Sequence, residues 1–308
     1  MTDLKSGYFV TKPIALKLNL TTMIFINPKT DYAFKKIFGS SESKEILISF
    51  LNALIYEGNP TIQDLEIINQ NLPIQVENLK DTYLDVTAKL DDGTLVIIKN
   101  LVLNVQYSGN RVLYNAATTY AFQLQRGEGY RMLKPLIALT ITDFEMFRNS
   151  PNLISRFVYK EVKSNLNYPE DAMNLVFIEL PKSHKEASQL ETLTDKWIYF
   201  MKYARILSEV PETIDSVPEI HKAFDLANQA RLSREEVEVL ERREQFIHDQ
   251  QGVIIKAVEE ARQAARQERI RKETLAIAQQ LLSQLDNATL SQVTGLSVED
   301  VQNLRGDS

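Results

Sequence analysis

The chain has 308 residues, of which 44% are hydrophobic and 25% charged, with a formal net charge of −6. This composition is typical of a globular protein of one or two domains that can bury a core. The acidic balance excludes a global attraction to nucleic acid, so any such contact needs a local basic patch. The absence of cysteine excludes disulfides and thiolate metal sites and fits a cytoplasmic protein. No apolar run approaches the roughly 18 residues that cross a bilayer, so no membrane contact is expected.

Residues 1–22 carry little of the periodicity of a folded segment. The partly apolar stretch at 16–20 is not followed by a small-residue cleavage site, so a signal peptide is not expected. We therefore predict a loosely held N-terminal extension at 1–22, ahead of the folded domain.

Two amphipathic helices are predicted next. Asn27 and Pro28 open the first, because proline suits a first helical turn, and Gly39 suits its C-cap. Ser40 or Ser41 can cap the second. The apolar stripe of the second helix consists of Ile46, Leu47, Phe50, Leu51, Leu54 and Ile55.

Residues 83–106 are predicted to form a β-hairpin, preceded by a short first strand at Leu65–Ile68. Apolar residues at 84, 86, 88 and 90 alternate with polar ones, as in a half-buried strand. Asp91-Asp92-Gly93 supplies the turn, because glycine can take the positive φ that tight hairpins need. The stretch 95–105 is then mostly apolar, interrupted by Lys99, Asn100 and Asn104.

The length of the turn decides which residue faces Asp85. A three-residue loop at 91–93 sets Asp85 opposite Lys99 on one sheet face, whereas a two-residue loop at 92–93 sets it opposite Asn100. A lysine in a buried strand needs a partner, and only the longer loop gives it a carboxylate. We therefore favour the three-residue loop.

The remaining elements complete an α/β pattern. Residues 111–126 predict a helix, followed by buried strands at Leu136–Ile141 and Leu175–Leu180. The expected core face of the helix consists of Leu113, Ala116, Ala117, Tyr120 and Leu124. Residues 183–230 are predicted to be helical.

The C-terminal part is predicted to be a helical extension in two pieces. Residues 231–280 read as one long charged helix in which acids and bases nearly cancel, typical of a solvated or coiled helix. Residues 281–308 form two short amphipathic pieces that break at Gly295, similar to a helix-turn-helix. No Arg or Lys lies between Lys272 and Arg305, which favours a packing or oligomerisation role over DNA binding.

Several segments in one order resemble the Rpn family, recombination-promoting nucleases also called putative transposases, within the PD-(D/E)XK nuclease superfamily. They are NPKTDYAFKKIFGS at 27–40, SFLNALI at 49–55, VLNV at 102–105, RVLYNAATTYAFQLQRGEGY at 111–130 and ALTITDF at 138–144, together with Asp85 ahead of a tight turn. The resemblance implies a restriction-endonuclease-like core at 23–182, with a central mixed sheet flanked by helices. It also implies DNA as the partner and Mg²⁺ as the cofactor.

The hairpin departs from the family pattern at two positions. The family carries Glu-x-Gln on the second strand, and those positions fall on Lys99 and Leu101, so only Asp85 remains of the implied metal-binding pair. Asp31 lies in the family's opening motif and could face the site, although a first-turn carboxylate favoured by the helix dipole is an equal reading. Gln123 resembles a family position near the site, and a surface amide is its simpler reading.

Two hypotheses follow for function. In one, Mg²⁺ and cleavage are lost, and the chain is a DNA- or protein-binding remnant of a mobile-element protein. The reason is that Lys99 replaces a negative charge with a positive one. Each unit charge ~4 Å from Mg²⁺ contributes about 4 kcal/mol at an effective dielectric of about 20, so the replacement opposes metal binding. In the other, the chain is an active Mg²⁺-dependent DNA endonuclease, with Asp85 as ligand and Asp31 or Glu45 replacing the lost glutamate. Self-association through the C-terminal helices is expected in either case.

Overall fold

The computed structural model describes residues 25–68, 86–103, 108–169 and 172–306. The predicted extension at 1–22 and Asp85 lie outside these residues. The helices are α1 (Asp31–Phe38), α2 (Lys44–Ile55), α3 (Ser108–Ala121), α4 (Leu193–Tyr203), α5 (Glu212–Asp215), α6 (Pro218–Ala227), α7 (Arg234–Leu281), α8 (Asn287–Thr294) and α9 (Val298–Gly306). The strands are β1 (Leu65–Ile68), β2 (Val86–Leu90), β3 (Leu95–Leu101), β4 (Leu136–Thr142), β5 (Ile154–Phe157) and β6 (Met173–Glu179).

Six strands within the described residues form one mixed sheet in the order β1-β2-β3-β4-β6-β5. β1, β2 and β3 pair antiparallel, and β3, β4 and β6 run parallel to one another. β5 pairs antiparallel with β6 at the edge of the sheet. The predicted α/β architecture, with a central mixed sheet, flanking helices and a helical C-terminal extension, is confirmed. Among the same residues, no helix is both long and apolar enough to cross a membrane.

The hairpin between β2 and β3 has the three-residue loop. Val86 pairs with Ile98, and the Leu90 N–H donates to the Thr94 carbonyl at 2.9 Å, which closes the loop over residues 91–93. Gly93 has φ +89°, the left-handed conformation that the turn requires. The two-residue alternative is therefore wrong. β3 itself ends at Leu101, earlier than the strand predicted to reach residue 105.

The two N-terminal helices begin later than predicted, α1 because of its cap and α2 because a 3₁₀ turn precedes it. Thr30 is the N-cap of α1, with its hydroxyl accepting from the Ala33 N–H, so Pro28 precedes the helix instead of opening it. A 3₁₀ turn at Ser41–Ser43 shifts the start of α2 to Lys44. Gly39 ends α1 as predicted, and a Cβ there would lie 2.7 Å from the Lys35 carbonyl oxygen.

The predicted core face of α3 is partly wrong. Val112 and Ala116 are buried, whereas Leu113 is 49% exposed and Ala117 is also exposed. Residues four apart share a helix face, so Val112 and Ala116 turn toward the sheet together and their C-terminal neighbours turn away. The helix ends at Ala121, five residues before the predicted end.

Aromatic side chains from helices far apart in the sequence fill the centre of the main core. Trp197 of α4 is fully buried, and its indole N–H donates to the Ser49 hydroxyl of α2 at 3.1 Å. Its ring packs against Phe38 and Phe50 at centroid distances of 5.7 and 5.3 Å. The helical region at 183–230 therefore shares one core with α1 and α2.

The chain divides into two compact units, Met1–Gln245 and Phe246–Ser308. In the second unit, Ala278, Leu290 and Val301 form a small core. Gly295 ends α8 in the left-handed conformation, and the Ser297 hydroxyl accepts from the Asp300 N–H at the start of α9. The predicted break at Gly295 is thus observed. Residues 255–273 of α7 are exposed throughout, as predicted for a solvated charged helix.

The first turns of α7 pack against α1 in the first unit. Glu236 accepts from the Tyr32 hydroxyl at 2.7 Å and from the Lys36 ammonium at 2.6 Å. The bonds from Lys36 and Tyr32 lower the pKa of Glu236 to about 2. Burial, reinforced by the Glu236 carboxylate, raises the pKa of Tyr32 to about 12. Leu240, only 5% exposed, adds apolar contact.

Truncation should locate the end of the first unit. A chain ending at Gln245 keeps Glu236 and Leu240 and should unfold cooperatively at nearly the full-length midpoint. A chain ending at Ala230 loses both and should lose at least about 2 kcal/mol, because burying one leucine is worth about 1.5–3 kcal/mol. Denaturant melts of the three proteins measure the difference. Equal stability of the two truncated chains would contradict it. Sedimentation of the same proteins tests the self-association expected from the C-terminal helices, which both truncations should abolish.

Candidate functional site

The residues of β3 alternate between two environments. Val96 and Ile98 belong to the main core on the side of α1 and α2, whereas Ile97 packs with Ala116 of α3. Period-2 alternation then sets Lys99 and Leu101 on the α3 side. The lysine is half-buried at the end of the strand. It stands where the neighbouring parallel strands also approach their C-terminal ends.

A small cleft surrounds Lys99 between the sheet and α3. Its volume is about 20 Å³, which is room for about one water molecule. Thr140 of β4 pairs with Lys99 in the parallel ladder and is 2% exposed. Arg111 and Asn115 reach the cleft from α3. The full lining consists of Ile97, Lys99, Leu101, Arg111, Val112, Asn115, Ala138, Leu139 and Thr140.

This donor set does not fit a divalent metal ion. The described lining contains two cations, Lys99 and Arg111, together with neutral polar and apolar groups, and none of it is a carboxylate. Mg²⁺ needs oxygen ligands, usually including at least one carboxylate, and nearby cations oppose its charge. Elsewhere in the described part of the chain, no group of three or more His, Cys, Asp or Glu side chains is placed to hold a metal.

Two carboxylates lie at the same end of the sheet, and each is neutralised by a lysine. Asp143 follows β4, and its N–H donates to the Leu101 carbonyl at 3.0 Å. Its side chain binds the ammonium of Lys29, in the turn before α1, at 2.7 Å. Glu179 ends β6 fully buried and binds Lys182 at 2.5 Å.

Glu179 and Lys182 form a closed hydrogen-bond cluster. One carboxylate oxygen of Glu179 accepts from the N–H groups of Met146 and Phe147, at 2.6 and 2.9 Å. Lys182 binds the other oxygen and donates to the Phe147 and Asn152 carbonyls at 3.0 and 3.3 Å. The cluster fixes the loop after β4 to the end of β6, which makes its role structural.

The predicted site residues have separate surroundings. Lys99 and Leu101 lie in the cleft, and Asp85 lies outside the described residues. Asp31 is 3.5 Å from the Arg243 guanidinium of α7. The Gln123 amide forms two hydrogen bonds with the backbone of Lys134, accepting from its N–H at 2.9 Å and donating to its carbonyl at 3.0 Å.

Glu45, the other candidate for a replacement carboxylate, is 75% exposed and pairs with Lys222 of α6 at 3.2 Å. Sequence reasoning missed Arg111, Asn115 and Thr140. Arg111 opens a segment that resembles the family, but its direction toward the cleft depends on how α3 packs. Thr140 is one polar residue inside an otherwise apolar strand, and that contrast was its only signal.

A model of one protein family, described as PD-(D/E)XK nuclease family transposase, matches residues 28–257. The match spans the whole sheet, α1 to α6 and the first half of α7. No curated protein and no solved structure matches the chain.

Proposed function

The chain belongs to the PD-(D/E)XK nuclease family transposases, and on that premise we propose that it is a relative of the recombination-promoting nucleases that binds DNA but has impaired cleavage. The observation that carries the proposal is the cationic lining of the cleft, to which Lys99 and Arg111 both contribute. Cations repel a metal ion and attract the phosphates of DNA, which would meet the exposed Arg111 at the mouth of this small cleft.

Asp85 is the proposed partner of Lys99. The described register begins at Val86–Ile98, and its continuation by one residue would set position 85 opposite position 99 on the same sheet face. In that arrangement the ammonium supplies the positive charge that Mg²⁺ supplies in the family. A buried carboxylate without a counter-charge lowers stability. Lys99 therefore stabilises the hairpin, although it replaces the carboxylate that would bind the metal.

The second substitution removes a polar group. Leu101 occupies the position where the family carries glutamine, and it lines the same cleft as Lys99. A leucine side chain neither donates nor accepts hydrogen bonds, so it cannot orient a water molecule for attack on a phosphate. The two substitutions therefore disable metal binding and nucleophile positioning together.

The second candidate function is an active Mg²⁺-dependent endonuclease with a migrated carboxylate. Two observations weigh against it. Asp31 pairs with Arg243 of α7, and Glu45 pairs with Lys222 of α6. They also sit on α1 and α2, which pack on the sheet face opposite to Ile97 and Lys99. Recruiting either one would require breaking its ion pair and moving its helix.

The purified protein is expected to leave supercoiled plasmid DNA uncut in Mg²⁺ or Mn²⁺. It should still retard that DNA at low salt, because contact between the exposed Arg111 and a phosphate would be electrostatic. Arg111→Glu should weaken retardation, whereas the same change at Arg126, an exposed arginine outside the cleft, serves as the matched control. Metal-dependent nicking that disappears in Asp85→Ala would establish the second candidate instead.

A further inference from the structure

Beyond β5 the chain forms a two-stranded projection, residues 157–168, which we call the aromatic arm. Lys160 bridges Asn167, and the Tyr168 N–H donates to the Tyr159 carbonyl at 3.0 Å. Phe157 pairs with Leu175 near the start of β6. The arm therefore extends toward the N-terminal ends of the parallel strands, away from the strand ends that carry Lys99.

The turn of the arm is held by its own hydrogen bonds. One oxygen of Glu161 accepts from the Lys163 N–H at 2.9 Å and from both the N–H and the hydroxyl of Ser164 at 2.6 Å. These bonds lower the pKa of Glu161. Asn165 takes a positive φ of 56° to close the turn, as asparagine does more readily than most residues. The arm thus has a defined shape without a partner.

Its side chains are large, apolar and exposed. The exposed fractions are 45% for Phe157, 42% for Val158, 51% for Tyr159, 94% for Val162, 69% for Leu166 and 61% for Tyr168. Tyr159 and Tyr168 lie opposite each other, with ring centroids 6.5 Å apart. Several large apolar side chains exposed within one short segment indicate a binding site.

The charge of the arm indicates what it binds. Residues 157–168 carry two cations, Lys160 and Lys163, and one carboxylate, in a chain with net charge −6. That carboxylate, Glu161, accepts three hydrogen bonds within the turn. The two lysines are therefore the charges that the arm offers to a partner, and Glu170 and Asp171 follow it in the sequence. A second copy of the chain would bring the same lysines against each other.

We propose that the aromatic arm binds single-stranded nucleic acid, with bases stacked on Tyr159 and Tyr168 and the phosphates facing Lys160 and Lys163. Aromatic faces combined with lysines are the usual platform for unpaired strands, because every base has a flat face to stack. In a duplex those faces are already stacked on each other. The inference rests on the proposed DNA partner and adds its form, through residues separate from the Lys99 cleft.

The test is fluorescence anisotropy with a labelled thymidine homopolymer of about 20 nucleotides, in EDTA so that no strand is cut. The full-length protein should bind this strand more tightly than a duplex of equal length. Tyr159→Ala with Tyr168→Ala should weaken binding about tenfold or more, since each stacked base contributes strongly. Tyr159→Phe with Tyr168→Phe should retain it, because the rings remain. Tyr130→Ala, at a tyrosine 85% exposed outside the arm, is the matched control and should change nothing.

Three results would overturn the proposal: equal binding of duplex and single strand, no binding by the full-length protein, or no effect of the alanine pair. A dimer that the alanine pair dissolves in sedimentation would assign the arm to contact between copies instead. All variants must melt at the parent midpoint. We expect this because both tyrosines are exposed. Plasmid nicking would refute impaired cleavage and leave the arm's role standing, so the two proposals fail separately.

Discussion

Replacing Lys182 with methionine should lower the free energy of unfolding by about 3–5 kcal/mol, the usual cost of breaking a buried ion pair from one side. The reason is that Glu179 is fully buried and binds Lys182 and two backbone N–H groups. Methionine fills similar volume but supplies no charge, so the carboxylate would be left without its counter-ion. Denaturant melts at neutral pH measure the loss.

A matched exposed pair controls for the general effect of losing a lysine. Lys185 is 45% exposed and binds Asp195 at 2.7 Å, so Lys185→Met should cost no more than about 1 kcal/mol. Adding Glu179→Gln to Lys182→Met should recover part of the loss, because the amide oxygen can still accept from Met146 and Phe147 without a buried charge. Equal costs for the two lysine variants would show that the Glu179 cluster is not a buried charge pair.

The double change Lys99→Glu with Leu101→Gln should produce a protein that is unstable without metal and is stabilised by Mg²⁺ or Mn²⁺. It restores the pattern that the family resemblance implies. In the proposed arrangement it sets a second carboxylate beside Asp85, and the mutual repulsion of the two costs stability until a dication binds. A metal that binds only the folded form stabilises it by about 2.7 kcal/mol at a hundred times its dissociation constant. The parent protein should show no such response.

Thermal melts of both proteins with and without the ion decide the matter. Arg131→Glu is the control, because it adds a glutamate at an exposed position outside the cleft and the hairpin. It should change the midpoint little and gain nothing from metal. If the parent gains as much from Mg²⁺ as the double variant does, Lys99 does not substitute for the cation.

Local chemistry made parts of the fold predictable. β1 and the buried stripe of α2 follow from periodicity. Gly93 locates the hairpin turn, and the need of Lys99 for a partner favours the three-residue loop that sets the register. The exposed position of Leu113 and the edge strand β5 do not. β5 contains Ser155 and Arg156 and has no apolar pattern, so it exists because β6 offers it a pairing edge. The start of α1 depends on which residue caps the helix. Thr30 does so, two residues after Pro28, which was predicted to lie in the first turn.

Of the residues that line the cleft, only those in the hairpin could be predicted from the sequence. Lys99 and Leu101 stand out as a cation and a leucine where a resemblance implies polar ligands. Arg111 and Thr140 reach them through parallel pairing of β3 with β4 and the packing of α3, contacts between residues up to about 40 apart in the sequence. Such contacts depend on tertiary structure, which periodicity in one sequence does not encode.

The burial of Trp197 has a practical consequence for measuring this protein. The chain contains one tryptophan, and its indole lies at the centre of the aromatic core with its N–H bonded to Ser49. Its fluorescence therefore reports when the core of α1, α2 and α4 opens to water. Leu240 of α7 lies in the same core, so the emission also responds when the first turns of α7 detach. A single emission signal can thus follow the opening of the core that α1, α2, α4 and the start of α7 share.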